Sequence, residues 1–579
     1  MTDLSWLEDY GENDYEGYDM SILKMDEAYL SVSARDEGLP YRIYRKHVEC
    51  IKCPFVKLEQ LSSDDSIIVD GLRIVLQKTP NNIYRISTQD ADPLASTDPY
   101  LCEFGEEFGE FGIYNVTVTP TGCAVDTIKN AVSIGFRLYN VIAVLSAVLT
   151  VFLIYCALFL GVFGVVYAGK RLLRKNDAEE KKKVEAKKRV KAIDTFRGIS
   201  IVIMIFVNYG AGGYPVLEHA AWNGLHFADL VFPWFMWIMG ACIPISLMSS
   251  FRRQTSNKSI FFNVLKRSIK LFCLGIFLGS GSTLECMRVF GVLQRFGICY
   301  FVVTIVCLFL MRRDLTKSQH KIGKFLSDLI NLYKGWIAVL LILFVYCMLL
   351  FLLADEGCPR GYLGPGGWHD HGKYFNCTGG ATGYIDRVVL GKNMYQNPTS
   401  KEIYLGTQAF DPEGILGCLT SIVHVFIGVQ AGMILLVYQE HSERLIRWLS
   451  WSVVCGIIGG GLCSFSKDDG VIPVNKNLWS ISFVLVMCCF AFLLLSICYV
   501  LIDVKSWWSG KPFLFAGMNA ILLYAGHEMT YGHLPMRWTV YCGKDHGTHL
   551  IALFENLWGA GFWVIVSYYW YKVNYFFAI

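Results

Sequence analysis

The sequence predicts a polytopic α-helical membrane protein, with about eleven transmembrane helices and a small β-rich lumenal domain at its N-terminus. Three observations carry this. Of 579 residues 54% are hydrophobic and only 17% charged, a balance rare in soluble proteins. The apolar residues gather into runs near the roughly 20 residues that a helix needs to cross a bilayer. Lys and Arg sit mostly in short blocks between those runs, where they act as topology signals.

Residues 1–130 contain no long apolar run. Segments such as 65–76 and 111–118 mix β-branched and polar residues in short bursts, so short strands are expected. Met1 to Asp19 is acidic and lacks a basic stretch followed by an apolar one, so no cleavable signal peptide is expected there. A first span is expected over 131–168, then a cytosolic basic linker over 169–192 that includes Lys181, Lys182, Lys183, Lys187, Lys188 and Arg189. The remaining chain, 193–579, is expected to form a ten-helix transmembrane domain. Its runs lie near 199–214, 227–249, 264–281, 289–311, 335–354, 413–438, 446–464, 478–502, 513–530 and 549–572.

With the N-terminus outside the cytosol, alternation places the loops near 251–258, 311–324, 438–447 and 503–511 in the cytosol, and most of them are basic. The C-terminus is then cytosolic as well. Sequons at Asn115 and Asn376 fall on one lumenal side, whereas the sequon at Asn257 falls in a cytosolic loop and is expected to stay bare. The loop over 355–412 is lumenal and turn-rich, and can pack on the N-terminal domain.

A net charge of +3 leaves a nucleic-acid partner without an electrostatic basis, and the membrane lipid is the expected surroundings. Cys50, Cys53, Cys102, Cys123, Cys358 and Cys377 lie outside the apolar runs, where an oxidising compartment would pair some of them. Pairing of Cys102 with Cys377 and of Cys50 with Cys53 is expected, although connectivity does not follow from sequence. No matched pair of CxxC motifs, no GxGxxG after a strand and no Walker lysine is present, and no metal is expected.

The most informative stretch is 191–240. Asp194 and Arg197 stand where a span begins, Asn208 lies near its far end, and Gly210, Gly212, Gly213 and Pro215 then break the helix. His219, Trp222, Asn223 and Asp229 follow. Irregular backbone and ionisable groups at membrane depth are tolerated only when buried in protein or lining a wet cavity, so this piece is a candidate site. A transporter of a sugar or acidic metabolite would build a site in the same way, although no internal repeat is evident.

This stretch closely resembles the catalytic region of the heparan-alpha-glucosaminide N-acetyltransferase family of lysosomal transmembrane acetyltransferases. The resemblance continues through Gly291-Val292-Leu293-Gln294-Arg295, residues 358–367 and 376–387, Asp411-Pro412-Glu413-Gly414, residues 472–480, Gly517-Met518-Asn519-Ala520 and Gly526-His527-Glu528. It implies an acyltransferase of the lysosomal membrane that carries acetyl from cytosolic acetyl-CoA to the terminal α-glucosamine of heparan sulfate in the lumen, as a step in its degradation. By the same analogy a homodimer is expected.

The residues fit that chemistry. An amine attacks a thioester only when unprotonated, so His219 is expected as the base, with direct transfer favoured over an acetyl-histidine relay. Asn208 is expected to donate to the thioester oxygen. Arg288, Arg295 and Lys476 are expected along the path of the phosphate-bearing donor. Asp229, Glu413 and Glu528 are candidate partners for the sugar ammonium or for these cations, while Trp222 and Asn223 are expected to line the substrate site. His424 and His527 are expected to be packing histidines.

Overall fold

The computed structural model describes residues 14–34, 41–50, 52–58, 67–68, 72–77, 82–87, 100–105, 108–119, 121–130, 190–279, 287–313, 326–398, 400–533 and 549–577. The expected first span and the basic linker as far as residue 189 lie outside these residues.

The N-terminal part is built of short strands: β1 (Asp14–Tyr15), β2 (Tyr18–Asp19), β3 (Glu27–Ala34), β4 (Tyr41–His47), β5 (Val56–Lys57), β6 (Ile67–Ile68), β7 (Leu72–Gln77), β8 (Asn82–Ser87), β9 (Cys102–Phe104), β10 (Ile113–Thr119) and β11 (Gly122–Lys129). One sheet runs β11-β10-β3-β7, with β3 and β10 parallel; the other runs β5-β4-β8-β9, with β6 also on β4. Alternation decides which face is buried. Ala28, Leu30 and Val32 of β3 meet Tyr41 and Ile43 of β4, Tyr84 and Ile86 of β8, and Val116 and Val118 of β10 in one core, the period-two pattern of strands packed on a single face.

The rest is helical: α1 (Lys191–Asn208), α2 (Val231–Arg252), α3 (Asn257–Gly279), α4 (Val292–Leu310), α5 (Ser327–Leu352), α6 (Gly380–Leu390), α7 (Ser400–Tyr404), α8 (Ile415–Val437), α9 (His441–Leu462), α10 (Ile481–Tyr499), α11 (Phe513–Met518), α12 (Ala520–Met529) and α13 (His549–Lys572). Among the described residues, six helical stretches are long and apolar enough to cross a membrane: Phe227–Arg252, Val292–Leu310, Ser327–Leu352, Ile415–Val437, His441–Leu462 and Ile481–Val504.

The expected count of eleven is therefore not confirmed. Helix α1 carries Lys191, Asp194 and Arg197 within its 18 residues, and α3 carries Lys258, Lys266, Arg267 and Lys270. The apolar run over 513–530 does not make one helix but two short ones, α11 and α12, divided at Asn519.

Helix α8 is buried on almost every side and lies hard against α2. A Cβ on Gly428 would overlap the Trp237 carbonyl, one on Gly432 the Ala241 carbonyl, and one on Gly240 the Val425 carbonyl. Small residues here permit the close backbone approach that holds helices together where lipid supplies no hydrophobic drive. At the N-terminus of α8, Asp386 of α6 accepts from the Ile415 amide at 2.9 Å, satisfying one of the donors that a helix start leaves open.

The disulfides correct one expectation. Cys50 pairs with Cys53, but Cys102 pairs with Cys123 and Cys358 with Cys377. Cys102 on β9 and Cys123 on β11 link the two sheets with Cα atoms 5.7 Å apart, and Cys358 and Cys377 close a loop at 5.6 Å, both within bonding range. The N-terminal domain is thus held to the helical part by packing rather than by the expected covalent link. Cys50 and Cys53 share an apolar cluster with Ala221, Trp222, Tyr404, Phe410 and Leu478, and Glu49 stands 3.8 Å from both Lys467 and His226.

Candidate functional site

Helix α1 ends at Asn208, and the chain turns through Gly210 (φ 109°) and Gly212 (φ 76°), left-handed conformations that glycine adopts without steric cost. The broken segment then runs to a short 3-10 turn, Phe227–Leu230, that leads into α2. Asp229 in that turn is fully buried. Its Oδ2 accepts from the backbone amides of Ala220 (3.1 Å) and His226 (3.0 Å), and its Oδ1 lies 2.8 Å from His219 Nδ1. A carboxylate held by two amides is an acceptor, so His219 donates from Nδ1 and leaves the lone pair on Nε2.

Lys476 arrives from a distant segment. Its Nζ is 3.1 Å from His219 Nε2, 2.9 Å from Nδ1 and 3.6 Å from Asp229 Oδ1. The surrounding protein and the Lys476 ammonium together hold the His219 imidazole below its ordinary range, against the opposing pull of Asp229. Burial likewise lowers Lys476. The His219 side chain nevertheless keeps 45% of its surface open, so the ring is reachable. The segment bearing Lys476 is secured by Asn223, whose Oδ1 accepts from Asn475 (3.0 Å) while its Nδ2 donates to Asp468 (2.8 Å).

The other expected residues fall into three places. Arg288 makes a two-pronged bond to Asp411 (3.0 and 2.5 Å) and a third to Glu413 (2.5 Å). Arg295 is fully buried, donates to the Gly414 carbonyl at 3.0 Å and lies over the Trp479 ring at 5.0 Å, with Nε and Nη1 lacking hydrogen bonds. Asn208 Nδ2 is 3.0 Å from both His527 Nε2 and Glu528 Oε1; no hydrogen bond joins Asn208 to His219. Glu413 lies within electrostatic reach of His219 on one side and of Tyr524 on the other, and Tyr524 is in reach of Glu528, so the two polar groups flank a common region.

Trp222 is an anchor rather than an open wall: its indole donates to the Leu363 carbonyl at 2.9 Å and its ring meets Phe410 edge-on. His424 is fully buried, with Nε2 2.8 Å from the Pro233 carbonyl. Asn115 is half-buried on β10 and Asn376 is exposed on its loop.

A cavity of about 810 Å³ opens among α1, α2, α3, α4 and the α11–α12 junction. Arg197, Arg253, Lys266, Arg267 and Lys270 line it, and among the described residues no acidic side chain does. Its α2 wall runs from Arg253 to Phe235, roughly 27 Å at 1.5 Å per residue, which ends one and a half turns short of Asp229. Sequence reasoning singled out Arg197 but passed over the other four as site residues. The available signal was the spacing of Lys266, Arg267 and Lys270, which places charges on neighbouring turns inside an apolar run.

Comparison with known proteins gives the family. Residues 189–319, which carry α1 to α4 and the His219 segment, match the family described as heparan-alpha-glucosaminide N-acetyltransferase, catalytic. The mouse heparan-alpha-glucosaminide N-acetyltransferase is 35% identical across 594 aligned positions, covering 96% of this chain and 89% of the relative. The human protein of the same name is 43% identical across 401 positions, covering 68% of this chain and 60% of the relative. This chain belongs to the heparan-alpha-glucosaminide N-acetyltransferase family and is an acyltransferase.

Proposed function

We propose that the chain transfers acetyl from acetyl-CoA on its basic, cytosolic side to the amino group of the terminal α-glucosamine of heparan sulfate, on the lumenal side that bears the β-rich domain, in the lysosomal membrane. The observation that carries the reading is the His219–Asp229–Lys476 group, with a basic cavity leading toward it along α2. A donor with several phosphate charges suits a cavity lined by Arg253, Lys266, Arg267 and Lys270. Arg288 takes a structural and electrostatic role near the reaction centre instead, because its charge is already committed to Asp411 and Glu413, and Arg295 is buried beside it, where its charge acts on Glu413.

In the direct reaction, the glucosamine nitrogen attacks the thioester carbon, the C–N bond forms and the C–S bond breaks. His219 Nε2 takes the amine proton and passes it to the departing sulfur, so CoA leaves as the thiol. Asp229 holds Nδ1–H and offsets the charge that develops on the ring. Lys476 gives up its bond to Nε2 as the proton arrives and remains near Asp229 Oδ1. A lowered His219 pKa keeps the base neutral in an acidic lumen. Asn208, whose Nδ2 already faces His527 and Glu528, would release one of these to reach the thioester oxygen.

The test is acetyl transfer from labelled acetyl-CoA to glucosamine enclosed in proteoliposomes. Wild type should label the enclosed amine, and His219→Ala should lose about 100-fold or more. Folded wild type that transfers no acetyl would overturn the proposal. Labelled acetyl trapped on His219 without acceptor would replace direct transfer with the relay.

A further inference from the structure

Away from this site, three distant parts of the chain bring together a buried group that the acetyl transfer does not use. Asp26 stands just before β3, Glu110 just before β10, and His549 opens α13. One ligating atom of each lies within 4.8 Å of the others. The side chains of His549 and Glu110 are 0% and 1% exposed.

The imidazole orientation creates the problem to be solved. His549 Nδ1 is 2.8 Å from the Gly212 carbonyl, which can only accept, so Nδ1 carries hydrogen. Nε2 therefore faces Asp26 Oδ1 at 2.7 Å and Glu110 Oε2 at 3.6 Å. A neutral ring would set its lone pair against two carboxylates, so a positive species must sit on Nε2. A single proton there satisfies Asp26 alone. Both Glu110 oxygens and the hydroxyl of Tyr214, whose ring is centred 5.1 Å from that of His549, lack hydrogen bonds of ordinary geometry among the described residues. Buried polar atoms without partners call for an ion or an ordered water.

We propose that Asp26, Glu110 and His549 form a binding site for a divalent transition-metal ion of the zinc class, which clasps the N-terminal domain to the helical part. The donor set of one imidazole nitrogen and two carboxylate oxygens suits such an ion. Small side-chain rotations would bring each atom to the roughly 2.0–2.2 Å that zinc requires. The Nδ1–H bond to Gly212 is the outer contact that fixes the tautomer of a metal-bound histidine. Gly213 lets the group close up: a Cβ there would stand 3.1 Å from the His549 ring and 2.8 Å from Met25. Because Gly212 belongs to the break that leads to His219, the ion would also brace the segment carrying the candidate base.

The test uses the full chain purified in detergent at pH 7, where protons compete less for the ligands than at acidic pH. Metal content is measured by mass spectrometry, and melting temperature is followed as Zn2+ is added to chelator-stripped protein. Expected are about one transition-metal ion per wild-type chain and a rise in Tm with Zn2+, both absent in His549→Gln and Glu110→Gln. If His549→Gln fails to fold, the near-isosteric Glu110→Gln decides. Folded wild type that holds no stoichiometric metal and shows no Zn2+ response overturns the proposal, as does Glu110→Gln that binds Zn2+ like wild type. Neither readout depends on acetyl transfer.

Discussion

Replacing Asp229 with Asn examines the proposed chemistry at its least exposed point. The carboxylate accepts three hydrogen bonds, from His219 Nδ1 at 2.8 Å, the Ala220 amide at 3.1 Å and the His226 amide at 3.0 Å. An Asn side chain has one oxygen and one NH2 group. The two backbone amides are fixed donors and converge on the atom now occupied by Oδ2, so the Asn oxygen takes that place and its NH2 points at His219 Nδ1. The ring must then accept at Nδ1 and carry its hydrogen on Nε2, which abolishes the base. A tautomer inversion of this type costs on the order of 10⁴ in kcat, or about 5.5 kcal/mol at 1.4 kcal/mol per decade. The two backbone amides stay satisfied, but the Lys476 ammonium loses its carboxylate and faces the new Nε2–H, so a stability loss of up to about 3–5 kcal/mol accompanies the change. The assay is steady-state acetyl transfer in detergent beside a thermal melt of the same preparation. Asp229→Asn that is folded at the assay temperature and keeps more than about a tenth of wild-type turnover would refute the assignment of His219 Nε2 as base.

Three further outcomes follow from the same geometry. Lys476→Met removes a cation that lowers the His219 pKa; the folded pKa therefore rises, the base is protonated at higher pH, and the acid limb of kcat/KM should move upward by up to about one pH unit. An unmoved limb in the pH profile would mean that the titrating group is not His219. Arg288→Gln leaves the buried Asp411 and Glu413 without their shared cation and should cost about 3–5 kcal/mol, read as a large drop in Tm, whereas Arg288→Lys should recover part of it. Changing Lys266, Arg267 and Lys270 together to Gln should raise KM for acetyl-CoA at least about tenfold and flatten its salt dependence while leaving kcat near wild type; an unchanged KM would place the donor elsewhere.

Much of the architecture was open to local reading because its signal is local. The apolar runs at 227–249, 289–311 and 478–502 became α2, α4 and α10, since a backbone in lipid must satisfy its own hydrogen bonds within the segment. The alternating residues of 111–118 became β10. The glycine break after Asn208 and the His219–Asp229 pair, ten residues apart, lie on one short stretch of chain, which is why the candidate site could be located from residues alone. Where charge interrupts an apolar run, as in α1 and α3, or a carboxamide stands at a helix junction, as Asn519 does between α11 and α12, the expected span is not confirmed by length and hydropathy.

What the sequence by itself determined is therefore the membrane character of the chain, its β-rich beginning, most of its helices and the stretch that bears the candidate base. Tertiary structure alone decided which groups meet. It brought Lys476 to His219 across 257 positions, set Arg288 against Asp411 and Glu413 rather than in an open path, paired Cys102 with Cys123, and gathered Asp26, Glu110 and His549. Periodicity and hydropathy are properties of neighbours in the chain, whereas charge pairing, disulfide choice and ligand sets depend on distances of a few ångströms that only the packing of helices and sheets creates.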